Sequence, residues 1–533
     1  MKRNLAWITE AVCGKLISPQ GKEAAESIMI SGISIDSRNI DKGSLFIPII
    51  GERYDAHDFL QDAIESGSRA VFFSDEGKFA KNVQALCEER GVFAIQVSDT
   101  VKALQDLARR YLAEVNPIRI GVTGSVGKTS TKDMLLQICS KFALSYANDG
   151  NFNNHIGLPL TVLAMPENTE VLILEMGMDK FGEIAFLADM VMPDIAVITL
   201  IGESHLENLK TRENILKAKL EITSRFDGHN ILIVNADSDL LTDEAIGRTV
   251  PDLKGELVKV GSGESCDYII SDICEFGEKG IKFIVSTKAD NAEVELPVLG
   301  VHNAKNAALA MAAACCVQEI ENSDAGSKVK IDLHSAAKAL NDVELTGRRL
   351  SCIKLGKIDI IDDSYNASPK SMTAAIDVLA ALPAVRRVAI LGDMYELGED
   401  SSEMHEAVGK YAAERGINLI ITVGELAEDI GYGVARHMAT NIFSGAGSAV
   451  NLGVSNPLEA LASLAKSGNA TCSEPCGAVD TASDDLLEVM HFEDKNQLMG
   501  KLASIIREGD KVLIKASNSM GLQEIAEYLK EIG

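Results

Sequence analysis

A chain of 533 residues is too long for one compact core and calls for two to four domains. With 46% apolar and 24% charged residues it has the composition of a soluble globular protein. Its 51 Lys and Arg stand against 78 Asp and Glu, a net charge of −27, and a field of that sign repels polyanions and excludes nucleic acid as a partner.

The N-terminus, MKRNLAWITEAVCGK, is basic but carries no sustained apolar run, which argues against a signal peptide. No segment offers the ~18 consecutive apolar residues of a membrane span. Ten scattered cysteines, with Cys315 and Cys316 adjacent in an alanine-rich run, fit a reducing cytoplasm better than a disulfide framework. Cys472 and Cys476 lack a second pair at metal-ligand spacing and read as a loop feature.

Taken in chain order, residues 1–115 show short β-rich runs at 30–35, 44–49 and 70–74 around a helical stretch at 59–66, a small α/β domain. After Pro117 the run IRIGVT (118–123) enters a glycine-rich loop. From 116 to 345, apolar strands at 171–174, 195–200 and 231–234 alternate with helical segments, the pattern of a largely parallel sheet covered by helices. A third unit, 346–533, has expected strands at 358–361, 387–391, 419–423 and 511–514 and reads as a Rossmann-like, doubly wound domain. Between about 437 and 487 the periodicity fades into Gly, Ser, Ala and Asn, read as an insertion with a mobile surface loop.

The stretch GVTGSVGKTSTKD (121–133) joins a strand to a helix through glycines, aiming backbone N–H groups and a helix N-terminus at one point. Lys128 would reach the outer phosphates of a nucleotide and Thr129 would ligand Mg²⁺. The usual loop spacing is incomplete, because Val122 stands where glycine is expected. A GTPase or motor ATPase carries an apolar strand ending in a cation-binding Asp; here VLIL (171–174) ends in Glu175. A second strand, AVITLIGESH (196–205), delivers His205 to a strand end, so Thr129, Glu175 and His205 are placed to converge on one metal site. Taken singly, Glu175 reads equally well as a solvated strand-end carboxylate and His205 as a capping or core histidine.

This constellation resembles the Mur ligases nearly end to end. TGSVGKTSTKD is similar to their ATP loop, and NFNNHIGLP (151–159), EMG (175–177), HLE (205–207), AKLEI (218–222), GVHNAKN (300–306), GR (347–348), DDSYNASP (362–369) and LGDMYELG (391–398) follow in family order. The last two motifs resemble most the branch that joins D-Ala-D-Ala to UDP-N-acetylmuramoyl-tripeptide. SIDSR (34–38) and GSLFIP (43–48) resemble the UDP-binding domain that this branch shares with the preceding ligase.

The resemblance implies three domains: a UDP-substrate-binding domain (1–115), an ATP-binding domain (116–345) and a C-terminal ligase domain (346–533). It implies an ATP-dependent ligase in cytoplasmic peptidoglycan precursor synthesis, forming an amide through an acyl phosphate. Lys128, Glu175, His205 and Lys219 would be catalytic, and Thr129, Glu175, His205 and Lys219 would hold two Mg²⁺ ions. Lys219 sits where the family lysine is carbamylated; from its helix alone it reads as a solvated cation. Thr123, Gly124, Ser125, Gly127, Lys128, Thr129 and Ser130 would cradle ATP, with Asn306 facing adenine and Arg348, Asp363, Tyr365 and Asn366 completing the nucleotide site from the third domain. Ser37, Arg38, Asn153 and Asn154 would contact the UDP-linked substrate. His405 matches a family position but has no evident chemistry and reads as structural.

Ser368 replaces a family asparagine, and Asn518 stands where an arginine is expected, which opens the identity of the amine. A ligase adding one amino acid, a folylpolyglutamate-type synthase, or a non-catalytic nucleotide-binding homologue are the alternatives. A monomer without membrane insertion is expected.

Overall fold

The computed structural model describes every residue except 18–23, 52, 75–79, 321–328, 445–486 and 533. Three α/β sheets follow one another along the chain. In the first, Lys15–Ile17, Phe93–Val97, Ala70–Ser74, Leu45–Phe46 and Ile33–Ser34 lie side by side, parallel except for the first. The strand expected over 30–35 is divided. Met29–Ile30 pairs with Arg3–Asn4, and Ile33–Ser34 joins the larger sheet, the break falling at Gly32, which has no side chain to pack. The expected run at 44–49 shortens to Leu45–Phe46, because Pro48 has no N–H for a ladder. Thr100–Val115 closes this unit and ends at Asn116 in the left-handed region, φ 49°, just before Pro117.

The central sheet has nine strands. Ser145–Ala147, Val171–Glu175, Ile118–Thr123, Ile195–Ile198, Ile231–Asn235, Glu256–Gly261 and Tyr268–Glu275 run parallel in that spatial order. Ile281–Ser286 and Asn291–Leu296 complete it as an antiparallel edge. The inner parallel strands are buried on both faces, hence their unbroken apolar runs, whereas the two edge strands alternate buried and open positions. His302–Cys316, almost wholly buried, packs its alanines against the helix Lys128–Cys139 that leaves the glycine-rich loop. Cys315 and Cys316 are free and buried there.

In the third sheet Ser351–Lys354, Asp359–Asp362, Asp510–Lys515, Arg386–Gly392, Leu419–Val423 and Glu488–Phe492 are neighbours, all parallel but the first. The late strand Asp510–Lys515 inserts between two earlier ones. Apolar clusters cover both faces, the doubly wound arrangement expected. The helix Glu428–Ser444 continues past residue 437, where the sequence pattern fades; the rest of the expected insertion, with Cys472 and Cys476, lies outside the described residues. Among the described residues no helix is long and apolar enough to cross a membrane.

Candidate active site

The carboxyl ends of the central and third sheets face a shared cavity of about 1090 Å³. In open parallel sheets this is where ligands bind, because loops and helix N-termini gather beyond the strand ends.

The glycine-rich loop forms one wall. Gly124 and Gly127 have φ of 147° and 89°, open to glycine alone. A Cβ on Gly127 would come within 2.5 Å of Asn306 Oδ1, so the loop lies directly against the helix His302–Cys316. Thr123 is fully buried, its hydroxyl donating to Met176 O at 2.9 Å; it and Gly124 shape the loop from behind without lining the cavity. Ser125, Gly127, Lys128, Thr129 and Ser130 do line it. Lys128 Nζ donates to Gly124 O at 2.8 Å, and burial pulls its pKa below the usual lysine range, against the raising pull of Glu175.

Glu175 ends its strand buried, at 4% exposure, so the solvated strand-end reading does not hold. One carboxylate oxygen accepts from Thr129 Oγ1 and the other from Asn153 Nδ2 at 2.9 Å. Asn148 fixes the backbone of Glu175 on both sides, accepting from its N–H at 2.8 Å and donating to its carbonyl at 3.2 Å. Asn154 shapes the turn into the helix Gly157–Ala164, its Oδ1 accepting from Ile156 N at 3.1 Å and from Gly157 N at 2.9 Å. Thus NFNNHIGLP orients the carboxylate and opens a helix at the cavity edge.

Lys219 departs furthest from the bland reading of a helix lysine. It is 0% exposed, and its Nζ has no hydrogen-bond partner among the described residues. Burial, then the charge of Lys128, holds its pKa well below the ordinary value, which favours the neutral amine.

The third domain supplies the opposite wall. Arg349 Nη2 donates to Thr129 Oγ1 at 2.9 Å, and its guanidinium lies over the Tyr365 ring, 4.0 Å from the centroid. Arg348, the residue singled out from the sequence, instead turns to Asn518, donating to its Oδ1 at 3.3 Å. In a Gly-Arg-Arg run the motif pointed to the first arginine, but the chain's direction after Gly347, φ 76°, brings the second to the cavity. Asp363 and Asn366 also line it. Lys515 Nζ donates to Asp363 Oδ2 at 2.6 Å and to Asn366 O at 2.9 Å. Burial raises the Asp363 pKa although Lys515 opposes it. His302 faces the same cavity, its pKa lowered to about 4 by burial and then by Lys515, so its ring is neutral.

Asn306 meets the cavity beside Gly127 and donates to Asn303 Oδ1 at 2.8 Å, both within the helix His302–Cys316. Ser37 and Arg38 are not brought to the cavity. Arg38 is exposed and doubly bonded to Asp36, at 2.9 and 2.8 Å. His405 is structural: its Nε2 accepts from Met394 N at 3.0 Å and its Nδ1 faces Ser401 O at 2.7 Å.

Against known proteins, three family models match in chain order: Mur ligase family, catalytic domain over 29–112; Mur ligase middle domain over 122–314; and Mur ligase, glutamate ligase domain over 348–518. A UDP-N-acetylmuramoyl-tripeptide–D-alanyl-D-alanine ligase from Bacillus subtilis is 36% identical over 533 residues, covering 100% of this chain and 99% of its own. The chain belongs to the Mur ligase family.

A crystal structure of MurF from Acinetobacter baumannii superposes with a TM-score of 0.78 at 25% identity, covering 100% of this chain and 99% of that one. MurF ligase from Thermotoga maritima, solved in complex with ADP, shares the fold with a TM-score of 0.69 at 24% identity, covering 94% and 97%. The three-domain architecture expected from the motifs is therefore the family's own.

Proposed function

We propose that this Mur ligase joins D-Ala-D-Ala to UDP-N-acetylmuramoyl-tripeptide, with ATP converted to ADP and phosphate. The observation that carries the reading is the Thr129 hydroxyl. It sits on the phosphate loop, bonded to Glu175 of the same domain and to Arg349 of the third, within a chain matched end to end by relatives of that name.

A carboxylate resists amines because its oxygen is a poor leaving group. The terminal carboxylate of the tripeptide attacks the γ-phosphorus; the new O–P bond forms as the bond to ADP breaks. The amine of the dipeptide then adds to the acyl carbon, a proton leaves the nitrogen, and phosphate departs as the amide forms. The loop N–H groups, Lys128 and Arg349 offset the repulsion between carboxylate and triphosphate, and such contacts are each worth ~10²–10³ in rate.

The donors suit the implied Mg²⁺: Thr129 and Glu175 offer oxygens at the loop. His205 lines the same cavity, although its Nδ1 turns to Glu396 Oε2 at 2.7 Å instead of joining the Thr129–Glu175 pair as the sequence led one to expect. When bound, Mg²⁺ neutralises charge developing on the phosphates. Lys219 fits a carbamate, since its amine is buried and unpartnered, and burial favours the neutral form that adds to CO₂. Asn306 and the neutral His302, which line the cavity, would form the floor beneath the nucleotide, and Asp363 with Tyr365 and Asn366 would hold it from the third domain. Ser37 and Arg38 would take the diphosphate-bearing end of a long substrate outside the cavity. Closure of the two walls keeps water from the acyl phosphate.

The test is phosphate release from ATP with UDP-N-acetylmuramoyl-tripeptide, comparing D-Ala-D-Ala with single amino acids. Turnover with the dipeptide is expected, with Asn518 a tolerated change. Turnover with a single amino acid alone would move the assignment to a sibling ligase, and no release with any amine would overturn the enzymatic reading.

A further inference from the structure

The helix that leaves the phosphate loop carries a polar stripe. Thr129, Asp133 and Gln137 stand four residues apart, so they share one face of Lys128–Cys139 with about 6 Å of rise between neighbours. The segment leading into the third domain lies along that stripe in reverse order. Arg349 Nη2 donates to Thr129 Oγ1 at 2.9 Å. Thr346 donates to Asp133 Oδ2 twice, from its N–H at 2.8 Å and from its hydroxyl at 2.7 Å. Gln137 Nε2 donates to Ala339 O at 3.2 Å.

Asp133 is buried, where a carboxylate has to be paired. Its Oδ1 meets Lys132 Nζ at 3.0 Å, and that ammonium, also buried, donates to Asn148 O at 2.8 Å. Asn148 is the residue whose side chain fixes the backbone of Glu175. The other oxygen, Oδ2, is given to Thr346, an exposed residue of the linker. Thr346 in turn holds Arg349: its carbonyl accepts from Arg349 Nη1 at 2.9 Å, across Gly347, whose φ of 76° lets the turn close. One carboxylate therefore stands behind both partners of Thr129, Glu175 on one side and Arg349 on the other. Among the described residues the Arg349 guanidinium touches Thr346 O, Thr129 Oγ1 and the Tyr365 ring. Once a phosphate takes over Nη2, the pinned turn and the ring are what keep it aimed.

We propose that Asp133 is a positioning residue for Arg349: by pinning the Thr346 turn to the phosphate-loop helix, it aims the guanidinium at the outer phosphates of the nucleotide. The inference rests on the proposed function only in taking Arg349 as a phosphate contact. A long side chain held in place beforehand loses little freedom when the phosphate arrives, so the pinned turn converts into affinity. Freed from the turn, the same guanidinium has to be ordered at the expense of binding.

The experiment is a double-mutant cycle on the full-length protein, reading equilibrium affinity for a non-hydrolysable ATP analogue with Mg²⁺ by calorimetry. Arg349→Ala is expected to weaken binding about tenfold or more. Thr346→Val keeps the shape of the side chain but loses the hydroxyl donor, and should weaken binding about fivefold; Thr346→Ser keeps both donors and should bind like wild type. In the Arg349→Ala background, Thr346→Val should cost nothing further, which a merely structural loss would not reproduce. Asp133→Asn is expected to follow the same pattern, but it also strips the buried Lys132 of its partner and lowers the melting transition. The Thr346 variants, at an exposed position, carry the test if that variant does not fold. Unchanged affinity in R349A, unchanged affinity in T346V, or a T346V loss that persists in full without Arg349 would each overturn the inference. Analogue binding needs no turnover, so a wild type that releases no phosphate would end the ligase reading and leave this cycle readable.

Discussion

The Lys515–Asp363 pair offers a test of what holds the third domain's wall of the cavity in shape. Replacing Lys515 by Met keeps most of the side chain's volume but leaves the Asp363 carboxylate, 9% exposed, without its cationic partner. Breaking a buried pair from one side costs about 3–5 kcal/mol. For a domain of this size that lowers the melting transition by ~6–20 °C. The pH dependence has a definite sign. Burial has already raised the folded-state pKa of Asp363 above its unfolded value, so the folded form prefers the proton and stability from this group falls as pH rises through that interval. Without Lys515 the folded pKa rises further. The gap between wild type and Lys515→Met is therefore widest at neutral pH and narrows in acid, where a proton neutralises the carboxylate. Adding Asp363→Asn should recover much of the loss. Calorimetry across pH checks this; a gap independent of pH, or no recovery in the double variant, would refute the reasoning.

Lys128→Ala is expected to lower phosphate release ~10²–10³-fold while leaving the melting temperature near wild type, since among the described residues its side chain bonds loop carbonyls alone; equal turnover would remove it from the chemistry. Gly127→Ala forces a side chain into φ 89° and against Asn306, so nucleotide affinity measured by calorimetry should fall at least ~10-fold. Gly91→Ala, at φ 67° but facing open space, should leave that affinity unchanged. Lys219 should show a carbamate resonance in ¹³C spectra under labelled CO₂ that disappears in Lys219→Ala along with activity. Full activity of that variant, with no such resonance in wild type, would exclude the modification.

The parallel strands of the central and third sheets were legible because burial on both faces leaves uninterrupted apolar runs, as in Val171–Glu175 and Leu419–Val423. The phosphate loop was legible because its chemistry is local: glycines, lysine and threonine act within one strand–turn–helix. The short strands of the first sheet were less so, since Gly32 and Pro48 cut them at positions that periodicity alone does not weigh. Arg349 reaches Thr129 only where the third domain meets the central one, so no spacing along the chain points to it. Lys515 left one trace, a lysine closing the apolar strand Asp510–Lys515, where burial demands a partner. Lys219 is the converse case. Its helix says solvated cation, and only packing shows a buried amine.

The most direct measurement of the central claim follows oxygen. With ¹⁸O in the terminal carboxylate of UDP-N-acetylmuramoyl-tripeptide, an acyl phosphate passes one labelled oxygen to the phosphate released in each turnover with D-Ala-D-Ala. Mass analysis of that phosphate should find one ¹⁸O per product amide; unlabelled phosphate alongside amide formation would contradict the account.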